Sequence, residues 1–224
     1  MREAGTGVLG LFGGTFDPPH IGHLRLAIEA REALDLAEIC FVPAGNPPLR
    51  DAPQAAAGHR LAMVERAIAG LPGFSVDPGE VLEAAKPSYT VATLERQRRM
   101  HGPARPLVLL LGADAFSRLE AWQRWRELFG LAHIAVATRP GHELSVGSGN
   151  TTLDNEYLAR QGTAADLAAA PAGRIIPFAI TALEISATAI RERLARGGNA
   201  RHLVPDAVLD YIDSHPLYRN PHGH

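Results

Sequence analysis

The sequence predicts an α/β protein built on a doubly wound parallel sheet. Two observations carry that expectation. Short apolar runs alternate with helix-period segments along the chain, the order that βαβ crossovers produce. Several of those runs are apolar at every position and stop at Gly or Pro, as strands buried on both faces do.

The elements follow in order. "VLGLF" (Val8 to Phe12) is a short apolar run ended by Gly-Gly and reads as a buried strand. "IGHLRLAIEAREAL" places Leu24, Ile28 and Leu34 with helical spacing. "EICFVP" (Glu38 to Pro43) is a second strand stopped by proline, and "GNPPLRDAPQ" is loop chemistry. "HRLAMVERAIAG" is an amphipathic helix with Gly70 as its natural stop. "FSVDPGEVLEAA" reads as extended segments around a turn, and "SYTVATLERQRRM" becomes helical after Ser88 and Thr90. Leu107 to Leu111 is the clearest buried strand. "EAWQRWRELFG" reads as helix and "AHIAVATRPG" as a strand. Residues 142–173 are rich in Gly, Ser and Ala without a clear period, which predicts an insertion or mobile loop. "GRIIPFAI" is a late strand, "SATAIRERLARG" a helix, and "PDAVLDYIDSH" a terminal helix opened by proline.

Composition bounds the function. A chain of 224 residues suits one α/β domain, or one with a substantial insertion, and residues 1–224 are read as a single domain. A net charge of -2 argues against broad nucleic-acid binding, which needs a basic field. Cys40 is the single cysteine, so neither an intrachain disulfide nor a cysteine metal cluster can form. No run is long enough to span a bilayer, and the start lacks a signal-peptide core. The expectation is a cytoplasmic protein with no membrane partner.

In parallel sheets of this type, ligands sit at the carboxyl ends of the strands. Three loops fall there: after Phe12, after Leu111 and just before Ser186. The first holds "GGTFDPPHIGH", Gly13 to His23. Gly13 and Gly14 let backbone N–H groups approach a phosphate, Thr15 adds a hydroxyl, and Phe16 has an N–H in the same turn. His20 and His23 then stand at a helix start, where unsatisfied N–H groups and the helix dipole favour anions. The same residues also fit a tight turn with two surface histidines. Zinc would need further ligands, and no H-E-x-x-H or cysteine set accompanies the pair. In "EISATAIRERL", Ser186 is an N-cap, and Thr188 and Arg191 fall within the next turn and a half. That end suits a polyphosphate tail or is an ordinary capped helix with a solvated arginine. In "LLLGADAF", Gly112 lets the backbone turn, and Asp114 either accepts from ribose hydroxyls or caps the next helix. Thr90 in "PSYT" and Trp122 could bind a carboxylate and stack on a flat ring, or serve as cap and core.

Taken together, these strings resemble the HIGH-motif nucleotidyltransferases, and more narrowly the bacterial nicotinate-nucleotide adenylyltransferases. The resemblance rests on "GGTFDPPHIGH", "PPLR" (Pro47 to Arg50), "PSYT" (Pro87 to Thr90), "GAD" (Gly112 to Asp114), "RPG" (Arg139 to Gly141) and "ISATAIRERL" (Ile185 to Leu194), in family order. It implies a Rossmann-like nucleotidyltransferase fold and a reaction: ATP plus nicotinate mononucleotide gives deamido-NAD and pyrophosphate. It implies that His20 and His23 contact the ATP phosphates and that Thr15 and Phe16 bind phosphate through the opening loop. Ser186 and Arg191 would hold the β- and γ-phosphates, Gly112 and Asp114 the adenosine ribose, and Thr90 and Trp122 the nicotinate. Arg50 would add charge near the phosphates, and Arg139 would lie near the adenine. Two positions depart from the pattern. Leu49 replaces a histidine and cannot donate a polar contact, and Gln123 stands where an aromatic residue often follows the stacking tryptophan.

The resemblance further implies Mg²⁺ held mainly through substrate phosphates, since no carboxylate cage is visible. Family members occur as monomers and as homo-oligomers. Three rivals stay open at this stage. One is transfer to nicotinamide mononucleotide or phosphopantetheine. Another is a nucleotide-binding module without turnover. The third, a class I tRNA synthetase fragment, lacks its lysine-rich KMSKS-like loop and a basic RNA face here.

Overall fold

The computed structural model describes residues 7–48, 52–138, 151–181 and 183–219. Six strands form one sheet: β1 (Leu9–Gly14), β2 (Glu38–Pro43), β3 (Phe74–Val76), β4 (Leu107–Gly112), β5 (His133–Thr138) and β6 (Ile175–Ala179). Their order is β3-β2-β1-β4-β5-β6. The sheet is parallel, and its central pairs keep a simple register: Leu9 beside Leu107, Leu109 beside Ile134, and Ile134 beside Ile175. Leu107 to Leu111 and His133 to Ala137 are buried without a break, the signature of strands covered on both faces. The expected α/β doubly wound class is the observed one.

The chain divides into two compact units. The first comprises Met1–Gly13, Ala27–Cys40 and Tyr89–Thr181; the second comprises Gly14–Leu26, Phe41–Ser88 and Ala182–His224. The division cuts β1 between Gly13 and Gly14 and cuts β2 after Cys40.

In the first unit, Arg98 of α4 (Thr90–His101) donates to the carbonyls of Leu131, Arg105 and Pro171. His133 is fully buried: its Nδ1 accepts from Arg174 N–H at 3.1 Å, so its proton sits on Nε2 and goes to Ala170 O at 2.8 Å. In the second unit, α2 (Ala57–Ile68) packs on β3 and on α9 (Asp206–Ser214). His59 Nδ1 meets the Tyr211 hydroxyl at 3.0 Å across that contact.

Three stretches differ from the sequence expectation. The segment "EAWQRWRELFG" is not one helix: it holds 3₁₀ turns at Leu119–Ala121 and Trp125–Glu127, then α6 (Leu128–Leu131). Arg124 breaks it with φ 53°, in the left-handed region, where its side chain reaches Glu127 and Glu95. The segment "FSVDPGEVLEAA" contains β3 and then a helical turn, α3 (Gly79–Leu82). Within the aperiodic stretch, α7 (Thr152–Arg160) forms behind a Thr151–Asp154 capping box. It buries only Leu153 and Asp154, so it carries no apolar stripe for a periodicity reading to find. No described helix is long and apolar enough to cross a membrane.

Candidate active site

The second unit holds the histidine pair. Pro18, Pro19 and His20 are buried and lead directly into α1 (Ile21–Ala33). The His20 N–H donates to His23 Nδ1 at 3.2 Å, while the His20 carbonyl accepts from His23 N–H at 2.9 Å. A backbone N–H can only donate, so neutral His23 carries its proton on Nε2. The two rings stack with centroids 3.7 Å apart, and Phe16 meets His23 edge-on at 5.0 Å. His23 is therefore a donor held by His20 and Phe16.

His20 is 6% exposed, and burial lowers its pKa to about 4. Near neutral pH it is an uncharged imidazole, able to donate to a phosphoryl oxygen. Its Nδ1 is buried without a partner among the described residues. Gly22 explains part of the placement: a Cβ there would lie 3.0 Å from His20 Nδ1. Linkage fixes the sign of the acid response. The unfolded imidazole takes up a proton below about pH 6.5, whereas the folded one resists until about pH 4. The site's contribution is present above pH 6.5 and is lost as pH falls toward 4. Urea midpoints measured at pH 7 and pH 4.5 are expected to fall further for the natural protein than for His20→Asn. The full pKa difference corresponds to about 3 kcal/mol.

The turn before His20 is anchored from several directions. Gly14 is needed for packing: a Cβ would lie 2.8 Å from the ring of Phe16, which is 2% exposed and also faces Phe41. Phe16 itself has φ 51°. Arg60 of α2 is 1% exposed and donates to three carbonyls: Ala55 at 3.1 Å, Thr15 at 2.7 Å and Gly45 at 3.1 Å. Burial lowers its pKa, and nearby Asp17 opposes that shift. Ser88 Oγ accepts from Gly45 N–H and Asn46 N–H, both at 3.0 Å. Asp17 is 4% exposed; its carboxylate accepts from Gln54 N–H, Ala55 N–H and the Tyr218 hydroxyl.

The second motif lies against this turn. Ser186 caps α8 (Ala187–Ala195), its Oγ accepting from Ala189 N–H at 3.2 Å. Arg191 Nη1 donates to the Asp17 carbonyl at 2.8 Å, and Nη2 donates to Thr188 Oγ1 at 3.3 Å. A Cβ on Gly22 would stand 3.8 Å from Ile185 Cβ. Motifs about 165 residues apart are thus neighbours within one unit, His20 and His23 on one side and Ser186, Thr188 and Arg191 on the other.

The first unit holds the other predicted positions. Gly13, in β1, is exposed. Gly112 ends β4 and is itself the N-cap of α5 (Ala113–Phe116), so Asp114 in the first turn is not that helix's cap. The Asp114 carbonyl accepts from Ser117 and Arg118. Thr90 opens α4, whose N-cap is Tyr89, and it is half-buried. Trp122 is half-buried at the end of a 3₁₀ turn, whereas Trp125 is the core tryptophan, 7% exposed and packed on Phe129. Arg50, Arg139 and Leu49 lie outside the described residues.

Asp17, Arg60, Ser88 and Tyr218 are the residues that motif reading passed over. Arg60 had a signal: it occupies the apolar stripe with Met63, Val64 and Ala67, where an unpaired charge is costly. The described residues contain no cluster of three or more metal-ligating side chains. The carboxylate of Asp17, three residues before His20 in sequence, is engaged by N–H and O–H donors. These side chains do not form a protein cage for a metal.

The cytidylyltransferase-like family model matches residues 11–193. A relative from Dechloromonas aromatica, named "Probable nicotinate-nucleotide adenylyltransferase", is 54% identical over 95% of this chain and 98% of its own. One of the same name from Laribacter hongkongensis is 51% identical over 95% and 94%. The solved Plasmodium falciparum nicotinic acid mononucleotide adenylyltransferase complexed with NaAD shares the fold. Its TM-score is 0.68 at 17% identity, over 94% of this chain and 97% of that one. By the family model and these relatives, the chain belongs to the cytidylyltransferase-like family and, within it, to the nicotinate-nucleotide adenylyltransferases.

Proposed function

We propose that this protein transfers the adenylyl group of ATP to nicotinate mononucleotide, releasing pyrophosphate and giving deamido-NAD. The relatives' shared name supplies the reaction. The observation in this chain that carries it is the bond from Arg191 to the carbonyl of Asp17, three residues before His20. It joins the two phosphate motifs into one cradle.

The chemistry suits those residues. A mononucleotide phosphate oxygen is already a competent nucleophile near neutral pH and needs no general base. It attacks the α-phosphorus of ATP in line. The new O–P bond forms as the bond to the β-phosphate oxygen breaks, and pyrophosphate leaves with the electron pair. Catalysis then consists of positioning two anions and stabilising charge on the transferring and leaving groups. His20, uncharged near neutral pH, and His23, through its Nε2–H, serve as donors toward the ATP phosphates, with Thr15 and the backbone of Gly13, Gly14 and Phe16 completing the loop. Ser186 and Arg191, with Thr188 beside them, hold the β- and γ-phosphates.

Gly112 and Asp114 meet the ribose, and Thr90 and Trp122 receive the nicotinate, with Trp122 free of the core role that Trp125 fills. Arg50 and Arg139 add charge near the phosphates and adenine. Nucleotidyltransferases use a divalent ion; we assign Mg²⁺ here, carried in by the triphosphate. A cytoplasmic location belongs to the same proposal.

Pyrophosphate release tests the reading directly. With ATP and magnesium, nicotinate mononucleotide is expected to support turnover at least tenfold better in kcat/KM than nicotinamide mononucleotide or phosphopantetheine. That margin corresponds to about 1.4 kcal/mol of transition-state discrimination. A preference for another acceptor would reassign the substrate, and no pyrophosphate with any of them would leave a binding module.

A further inference from the structure

We propose that Tyr218, beyond the last helix, is a positioning residue for Arg191: its hydroxyl locks the Asp17 turn whose carbonyl holds the guanidinium. The proposal rests on the phosphate role given to Arg191 above.

Five hydrogen bonds build the chain of support. The Tyr218 hydroxyl donates to Asp17 Oδ1 at 2.7 Å, across 201 residues of sequence. Gln54 N–H donates to Oδ2 at 2.8 Å and Ala55 N–H to Oδ1 at 3.1 Å, so the carboxylate is gripped on both oxygens. Tyr218 is the side-chain O–H among those donors. The main-chain oxygen of Asp17 then accepts from Arg191 Nη1 at 2.8 Å, and its Oδ2 lies 4.0 Å from the same nitrogen. Thr188 Oγ1 takes Nη2 at 3.3 Å. The guanidinium is thus held at two points, and its buried Nε has no partner among the described residues.

The backbone at Tyr218 supports a specific role. Leu217 N–H donates back to Ile212 O at 3.1 Å, and Tyr218 has φ 62°. A bulky side chain in the left-handed region is uncommon and persists where tertiary contacts hold it. Burial, and then the bond to Asp17, raise the Tyr218 pKa above the ordinary tyrosine value. The group therefore remains a proton donor throughout the working range. A carboxylate with three donors is rigid; removing the hydroxyl leaves Oδ1 with one backbone N–H and frees the turn.

The test is steady-state kinetics on Tyr218→Phe, Arg191→Ala and the double variant, with thermal melting of each. Tyr218→Phe is expected to raise the KM for ATP roughly fivefold, with the mononucleotide KM unchanged and kcat within about twofold. In the Arg191→Ala background the same substitution is expected to add nothing. The proposal is overturned if Arg191→Ala raises the ATP KM and Tyr218→Phe does not. It is also overturned if the two losses multiply in the double variant. A lowered melting temperature with both KM values shifted together would mean general stabilisation, and would overturn it too. If Arg191→Ala itself leaves the ATP KM unchanged, the phosphate role of Arg191 fails first, and this inference falls with it.

Discussion

Replacing His23 by alanine is expected to lower kcat by roughly two to four orders of magnitude while the KM for ATP changes little. The argument is geometric. The His20 N–H occupies His23 Nδ1, which leaves the ring's proton on Nε2. Stacking on His20 and the edge of Phe16 fix the ring plane. A donor held in this way is worth most where negative charge grows, on the phosphoryl oxygens of the transition state, and less in the ground state. Steady-state kinetics separate the two cases. A loss confined to KM would make His23 a ground-state binder.

Arg60→Met is expected to cost about 3–5 kcal/mol of stability, a large share of what a domain of this kind possesses. The substitution preserves much of the apolar stem but leaves the carbonyls of Thr15, Ala55 and Gly45 without their donor. Each buried, unpaired carbonyl costs about 1–3 kcal/mol, partly recovered by relaxation. Lysine should not rescue the loss, because one ammonium cannot match a planar fork reaching three divergent oxygens. Urea unfolding checks both variants. A midpoint within experimental error of the natural protein would show that these carbonyls find other donors.

Much of the fold was legible because its signals are local. Leu107 to Leu111 announced a doubly buried strand by composition alone, and Ser186 announced a capped helix by its place before an apolar period. The proposed phosphate motif drew notice for the same reason: "GGTFDPPHIGH" concentrates eleven positions between the end of β1 and the start of α1. What stayed hidden depends on distance along the chain. Tyr218 reaches Asp17 across 201 residues, and no local pattern marks it. Arg60 violated its own amphipathic helix and so carried a readable warning. Gly14 was legible as a required glycine, but for phosphate approach; the structure adds the Phe16 ring as a packing reason. The helix at Thr152–Arg160 escaped because it buries too little to impose a period.

The central claim is that the two motifs form one cradle for triphosphate. A crystal structure with magnesium and a non-hydrolysable ATP analogue tests it most directly. The account predicts phosphate oxygens within hydrogen-bond distance, about 2.7–3.2 Å, of a His23 or His20 ring nitrogen and of the Arg191 guanidinium. A triphosphate bound away from these side chains, with Arg191 still turned to Asp17 and no phosphate beside it, would contradict the account.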